Sequence, residues 1–306
     1  MSATIVHAQP PAGAVRAFVR RHVLSVFFLL VFALTWPLLI ADALGSQGVL
    51  SFRLPLVALL LTGYMPGCAA LIATALADGK AGVGVLLRKL LIWRVGVPWY
   101  GVALFGFAVI CLAVVVLQGV VDGLPVRSLL AADVADVPGV ELALNIAVLF
   151  GVSLLINTEE VAWRGFALPH LQARWNALTA SVLLGLVWAL FHLPLFYTLT
   201  GSSQADRSMA AFALQTVALS VIFTWLYNNT RGSVLLASLL HASINTWSRV
   251  FPIDHGGARV DWLMAGMLCL VAVILILAFG AQHLTRRGQR IEAAEAARAP
   301  SIMPTA

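Results

Sequence analysis

The chain has 306 residues, 61% of them hydrophobic and only 10% charged, with a formal net charge of +6 and a mean hydropathy of +0.95. Soluble domains carry about 25% charged residues, so this composition excludes a soluble globular protein and points to a polytopic membrane protein. The positive charge does not mark a nucleic-acid binder, because the basic residues lie between apolar segments rather than along one face.

Taken in chain order, residues 1–22 form a polar segment with Arg16, Arg20 and Arg21 ahead of the apolar run Val23–Ile40. That run is too long for a signal-peptide core and no A-x-A site directly follows it, so it reads as a retained first span. A spanning helix needs about 20 apolar residues, which gives eight candidates centred near residues 32, 65, 109, 149, 188, 219, 241 and 271. The predicted fold class is therefore all-α: a polytopic transmembrane helix bundle of about eight spans over residues 23–281. The fourth and seventh segments fit the hydropathy rule least well, because polar residues interrupt them. One re-entrant segment would reduce the count to six or seven.

Between the second and third segments, Leu86–Gly96 interleaves Arg88, Lys89 and Arg94 with Leu87, Leu90, Leu91 and Trp93. This pattern reads as a short amphipathic helix on a membrane surface, or as a basic loop that sets orientation. Residues 282–306 read as a polar, Ala-rich disordered tail that does not end in a prenylation box. Cys68, Cys111 and Cys269 sit singly in apolar runs, with no CxxC, and read as small core-filling side chains. The sequence shows no internal repeat and no soluble domain.

Fourteen of the 19 Lys and Arg residues fall on one side of this eight-span topology, which predicts cytoplasmic N- and C-termini for the segments given. The preference for Arg over Lys points to a bacterial source, hence to the bacterial cell membrane.

Three polar clusters stand out against the apolar background. Asn157–Leu171, NTEEVAWRGFALPHL, places Glu159, Glu160 and Arg164 at the end of a long apolar run. An ionisable residue at membrane depth costs at least a few kcal/mol and is a functional-site hypothesis by default. Glu160 and Arg164 are i, i+4 and can pair on a helix, whereas Glu159 lies about 100° around and is left available. A salt-bridged helix end is the plainer reading of this motif alone.

The second cluster is Trp188–His192, where His192 is the lone ionisable group of its segment and, by itself, could be a helix-packing residue. In the third, His241 and Asn245 share one helix face and offer convergent donors to a single point. Polar packing against another helix would use the same pair. No GxSxG and no HExxH is present, which removes the common serine-hydrolase and zincin patterns. Taken together, Glu, His, His and Asn on three spans fit a carboxylate-activated water with oxyanion donors. They fit equally a metal site of two His and one Glu. Spacing does not choose between the two.

The order and spacing Glu159-Glu160-xxx-Arg164, Trp188-xxx-His192 and His241-xxx-Asn245 resemble the CPBP group of intramembrane proteases, which includes CaaX prenyl endopeptidases and bacteriocin-processing or self-immunity proteins. The first motif is extended by Gly165-Phe166, as is usual in that family, and Trp188 stands where Phe is commoner. The resemblance covers a core at about 140–250, and Arg88–Tyr100 also looks like bacterial members. It implies an intramembrane endopeptidase whose site opens toward the cytoplasm and cleaves a peptide bond near the cytoplasmic leaflet.

By that analogy Glu159 activates water, His192 positions it, and His241 and Asn245 form the oxyanion hole. Glu160 and Arg164 hold the motif helix in shape. The group has been described both as metal-independent and as metalloproteases; no cofactor is favoured, and in a zinc-dependent version Glu159, His192 and His241 would be the ligands. The implied partners are membrane lipids and a peptide or protein substrate, lipidated or not. The competing readings are a non-catalytic membrane immunity or scaffold protein, and a transporter with an intramembrane Glu/His relay. Inverted repeats would favour the transporter, and none is detected.

Overall fold

The computed structural model describes residues 12–123, 137–199, 204–205, 207–251, 253 and 257–285. Every regular element among them is helical. Helix α1 spans Ala12–Arg21, α2 Val23–Ser46, α3 Leu56–Thr62, α4 Met65–Arg88, α5 Val97–Asp122 and α6 Gly139–Ile156. A π-helical segment, Val161–Ala167, runs into α7, Leu168–Gln172. Helices α8 (Ala177–Phe191), α9 (Met209–Asn229), α10 (Val234–Val250) and α11 (Gly257–Phe279) complete the bundle.

Seven helical stretches of the described residues are long and apolar enough to cross a membrane. The eighth expected span is α10. It is helical, but at 17 residues with His241, Asn245 and Arg249 it is too short and too polar to qualify. Its polar groups are satisfied inside the bundle instead: Ser243 Oγ and Trp247 Nε1 both donate to the Leu104 carbonyl of α5, at 2.9 and 2.8 Å. Interhelical hydrogen bonds of this kind let a polar helix sit among apolar ones. The exposed faces of α5, α6 and α11 carry large apolar side chains such as Val109, Leu144 and Leu277, as a lipid-facing surface requires.

The candidate centred near residue 65 is displaced. The apolar run breaks at Gly63–Tyr64, so short α3 is followed by a spanning stretch over Met65–Leu91. Gly79 kinks α4 with φ +68° and ψ −161°, a backbone geometry open to glycine alone. Arg16 and Arg20 of α1 donate to the Ala77 carbonyl just before that kink, so α1 packs on it. The expected amphipathic helix over Leu86–Gly96 is a correction in part: helical turns end at Leu91 and Ile92–Gly96 is irregular. That irregular strip is bonded to the α9–α10 turn, with Ser233 Oγ donating to Ile92 O at 2.6 Å and Arg231 donating to Arg94 O.

The packing order positions the site. Helix α9 lies between α8 and α11, α10 lies between α5 and α6, and α2 runs beside α4. Ala69, Ala70, Ala73 and Ala77 of α4 are buried, and small side chains let helix backbones approach closely. Side-chain caps start three of the site helices: Asn176 accepts from Thr179 N, Ser208 from Ala211 N and Ser233 from Leu236 N. Helix α6 has no buried residue and leans on α10 from the outside. The expectations for residues 1–11 and 286–306 lie outside the described residues.

Candidate active site

The two ends of the bundle are distinguishable. One end holds α1, the α4 kink and the end of α11, where Ala177 N and Leu178 N donate to the carbonyls of Gln282 and Ala281. The opposite end holds the α2–α3 and α8–α9 connections, tied by Gln47 Nε2 to Tyr197 O at 2.7 Å. There Arg207 Nε bonds Asp261 Oδ1 at 2.8 Å.

Between α6 and the π-helix the chain passes through Asn157–Glu160. Thr158 pins it to the start of α4: its N–H and hydroxyl both donate to Gly63 O, and its Oγ1 accepts from Gly67 N at 3.1 Å. A Cβ on Gly67 would lie 2.4 Å from that oxygen, so glycine permits the approach. Asn157 Oδ1 accepts the Glu159 N–H at 2.8 Å, an Asx turn that aims the following carboxylates into the bundle.

The two glutamates then part. Glu159 Oε2 accepts two indole N–H bonds, from Trp163 at 2.9 Å and from Trp188 of α8 at 2.6 Å. Glu160 Oε1 accepts Arg164 at 2.9 Å, as the i, i+4 spacing anticipates, and His241 Nδ1 at 2.7 Å. The Arg164 guanidinium is fully buried, stacked 4.4 Å from the Trp188 ring centroid and 3.9 Å from that of Phe223. Its Nε and second Nη find no hydrogen-bond acceptor and face those rings instead.

Both histidines have their tautomers set by neighbours. His192 Nδ1 lies 2.8 Å from the Trp188 carbonyl, which can only accept, so Nδ1 carries the proton and Nε2 keeps its lone pair. His241 Nδ1 donates to the Glu160 carboxylate. Asn157 Oδ1 is committed to Glu159 N–H, so its amide Nδ2 points at His241 Nε2, 2.8 Å away. Asn245 Nδ2 donates to Ser153 Oγ of α6 at 2.9 Å.

A cavity of about 570 Å³ gathers these groups, lined by Glu159, Trp188, His192, His241 and Asn245 together with Asn157. Glu160 and Arg164 lie behind its wall. Asn157, Trp163 and Ser153 were not anticipated as site residues. The one signal for Asn157 is its place two residues before Glu159, the spacing of an Asx turn.

Among the described residues no three His, Cys, Asp or Glu side chains cluster as a metal site, and His241 Nε2, a ligand in the zinc-dependent alternative, is engaged by the Asn157 amide.

Trp188 is eleven residues, about 17 Å of helix rise, beyond Ala177, so Glu159 lies in the interior and not at a bundle end. From there the cavity extends to Arg207, Arg249 and Ile253, at the end opposite α1. Toward α1 it is closed by Arg164 and by Trp163 and Phe166, whose rings pack with Phe27 of α2.

The fold and cavity define a polytopic, all-helical membrane protein with a carboxylate–imidazole–carboxamide site. Residues 139–247 match the family profile described as type II CAAX prenyl endopeptidase Rce1-like. A protein of Methanococcus maripaludis named CAAX prenyl protease 2 is 31% identical over 137 residues, 43% of this chain and 49% of that protein. The chain thus spans about half the length of the curated relative it matches. All three motifs fall within the matched segment.

Proposed function

We propose that this protein is an intramembrane endopeptidase that hydrolyses a peptide bond with water activated by Glu159. The observation that carries the reading is the convergence of Glu159, His192, His241 and Asn245 on one cavity inside an apolar bundle.

Two indole N–H groups fix Glu159 through Oε2, which leaves Oε1 to take a proton from water. The lone pair on His192 Nε2 accepts the second water hydrogen and orients the nucleophile. Base catalysis of this kind contributes roughly 10²–10⁴-fold. Water oxygen bonds to the carbonyl carbon, the C–N bond breaks, and Glu159 returns the proton to the leaving amine.

The developing oxyanion needs N–H donors. The resemblance casts His241 and Asn245 as these donors, but the one His241 N–H is held by Glu160. The role passes to Asn245 and Asn157, each with one amide hydrogen beyond those used at Ser153 and His241; a substrate carbonyl can also displace either contact. Glu160 and Arg164 act behind the wall, holding His241 and the π-helix in place.

Leu60 of α3 and Leu149 and Val152 of α6 line the cavity and are also exposed on the bundle's lipid-facing side. This supports a substrate whose peptide is flanked by, or attached to, an apolar group. The test is incubation of the protein in proteoliposomes with lipidated and unlipidated peptides, with products read by mass spectrometry. Defined peptide fragments are expected from one class. Intact peptides throughout, from a folded sample, would contradict the reading.

A further inference from the structure

We infer that the cavity is served from the non-cytoplasmic face of the membrane, so that the substrate is a peptide or membrane-segment end presented on that side. The inference deepens the protease reading and rests on it for the word substrate, but its geometric content stands alone. Two independent observations carry it: where the cavity opens, and where the basic residues lie relative to that opening.

The opening is set by side chains. On α10, His241, Asn245 and Arg249 are spaced i, i+4, i+8 and form one stripe along the cavity wall, rising about 12 Å from the buried imidazole to an exposed arginine. Phe212, Gln215 and Thr216 from the first two turns of α9 face the same space. In the other direction the route is blocked. Glu160, Ala162, Trp163, Arg164 and Phe166 are at most 3% exposed and fill the bundle between Glu159 and the α1 end. Lys89 Nζ, donating to Gly165 O at 2.6 Å, ties this plug to the end of α4.

Charge then assigns the faces. At the plugged end lie Arg16, Arg20, Arg21, Arg88, Arg94 and Arg231. At the open end, the described basic residues are Arg53, Arg207, Arg249 and Arg259. Three of these pair with aspartates: Arg53 with Asp42, Arg207 with Asp261 and Arg259 with Asp122. Lys and Arg close to span ends are retained on the cytoplasmic side. The plugged end therefore faces the cytoplasm and the open end faces away from it. Arg164, which a count from sequence assigns to the cytoplasmic side, is inside the bundle and does not bear on orientation.

The test uses full-length protein in right-side-out membrane vesicles from producing cells, with Cys68, Cys111 and Cys269 replaced by Ala. Single cysteines are introduced as Ser248→Cys at the cavity mouth, Leu199→Cys elsewhere at the open end, and Arg174→Cys at the plugged end. A membrane-impermeant maleimide is expected to label Ser248→Cys and Leu199→Cys in intact vesicles, and Arg174→Cys only after permeabilisation. The reverse pattern, or labelling at both ends of intact vesicles, overturns the inference. Leu199 lies away from the cavity, so Leu199→Cys decides the matter if Ser248→Cys fails to fold. Labelling requires no hydrolysis. A correct pattern without peptide cleavage would therefore count against the protease reading alone.

Discussion

The Trp188 indole N–H is bonded to Glu159 Oε2 at 2.6 Å, joining the aromatic of the second motif to the first carboxylate of the first. The same ring stacks on the Arg164 guanidinium, so Trp188 serves both glutamates at once.

Trp188→Phe keeps a stacking ring and deletes one donor to a buried carboxylate. A hydrogen bond to a charged group is worth about 1.5–3 kcal/mol. We expect kcat to fall about tenfold or more and the melting temperature to fall, with KM little changed, measured by peptide hydrolysis and unfolding in detergent. A kcat within twofold of wild type would show that the bond does not hold Glu159 for chemistry.

Arg164→Ala removes one partner of a fully buried ion pair and leaves Glu160 to His241 alone. Such a loss costs about 3–5 kcal/mol, so membrane abundance and melting temperature should both fall sharply. Arg164→Lys should not restore them, because a compact ammonium cannot stack between Trp188 and Phe223 as a planar guanidinium does. A stable, active Arg164→Ala protein would refute the supporting role of the pair.

How far these contacts were legible in the sequence depends on their range. Glu160–Arg164 follows from helical spacing alone, and the apolar runs announce most of the spanning helices. The indole bonds to Glu159 did not follow, because Trp188 is 29 residues away and its rotamer is a matter of packing. Helix α10 scored poorly as a span since its polar residues look costly until Leu104, Glu160 and Ser153 are seen to satisfy them. The break at Gly63 was hidden for a related reason: hydropathy averages over a turn whose cause is the approach of Thr158.

Gly67→Ala tests the seat of the carboxylate loop. The new Cβ would sit 2.4 Å from Thr158 Oγ1 and 2.7 Å from its Cβ, so the Thr158 side chain and the loop behind it must move. Overpacking of this kind costs about 1–3 kcal/mol. The expected outcome is a lower melting temperature together with reduced kcat, since Glu159 is one residue on. Unchanged values for both would mean the loop is free to shift without consequence.

Burial holds the His170 imidazole of α7 below its ordinary value of 6.5, outweighing the hydrogen bond from Nδ1 to Phe166 O that favours the charged form. The folded protein then binds fewer protons than the unfolded chain. This contribution is fully present above the unfolded value and is lost as pH falls below it. The melting temperature should therefore drop on acidification below about pH 6.5, and His170→Gln should flatten that drop. An identical pH dependence in the variant would remove His170 as its source.

The most direct test of the central claim compares wild type, Glu159→Gln and metal-stripped wild type on one cleaved peptide in proteoliposomes, with folding checked by thermal unfolding. If Glu159 activates the water, Glu159→Gln lowers kcat by about two to four orders of magnitude at unchanged stability, and metal stripping leaves the rate intact. A Glu159→Gln protein that keeps a rate within tenfold of wild type, or activity lost on stripping and restored by zinc, would contradict the account.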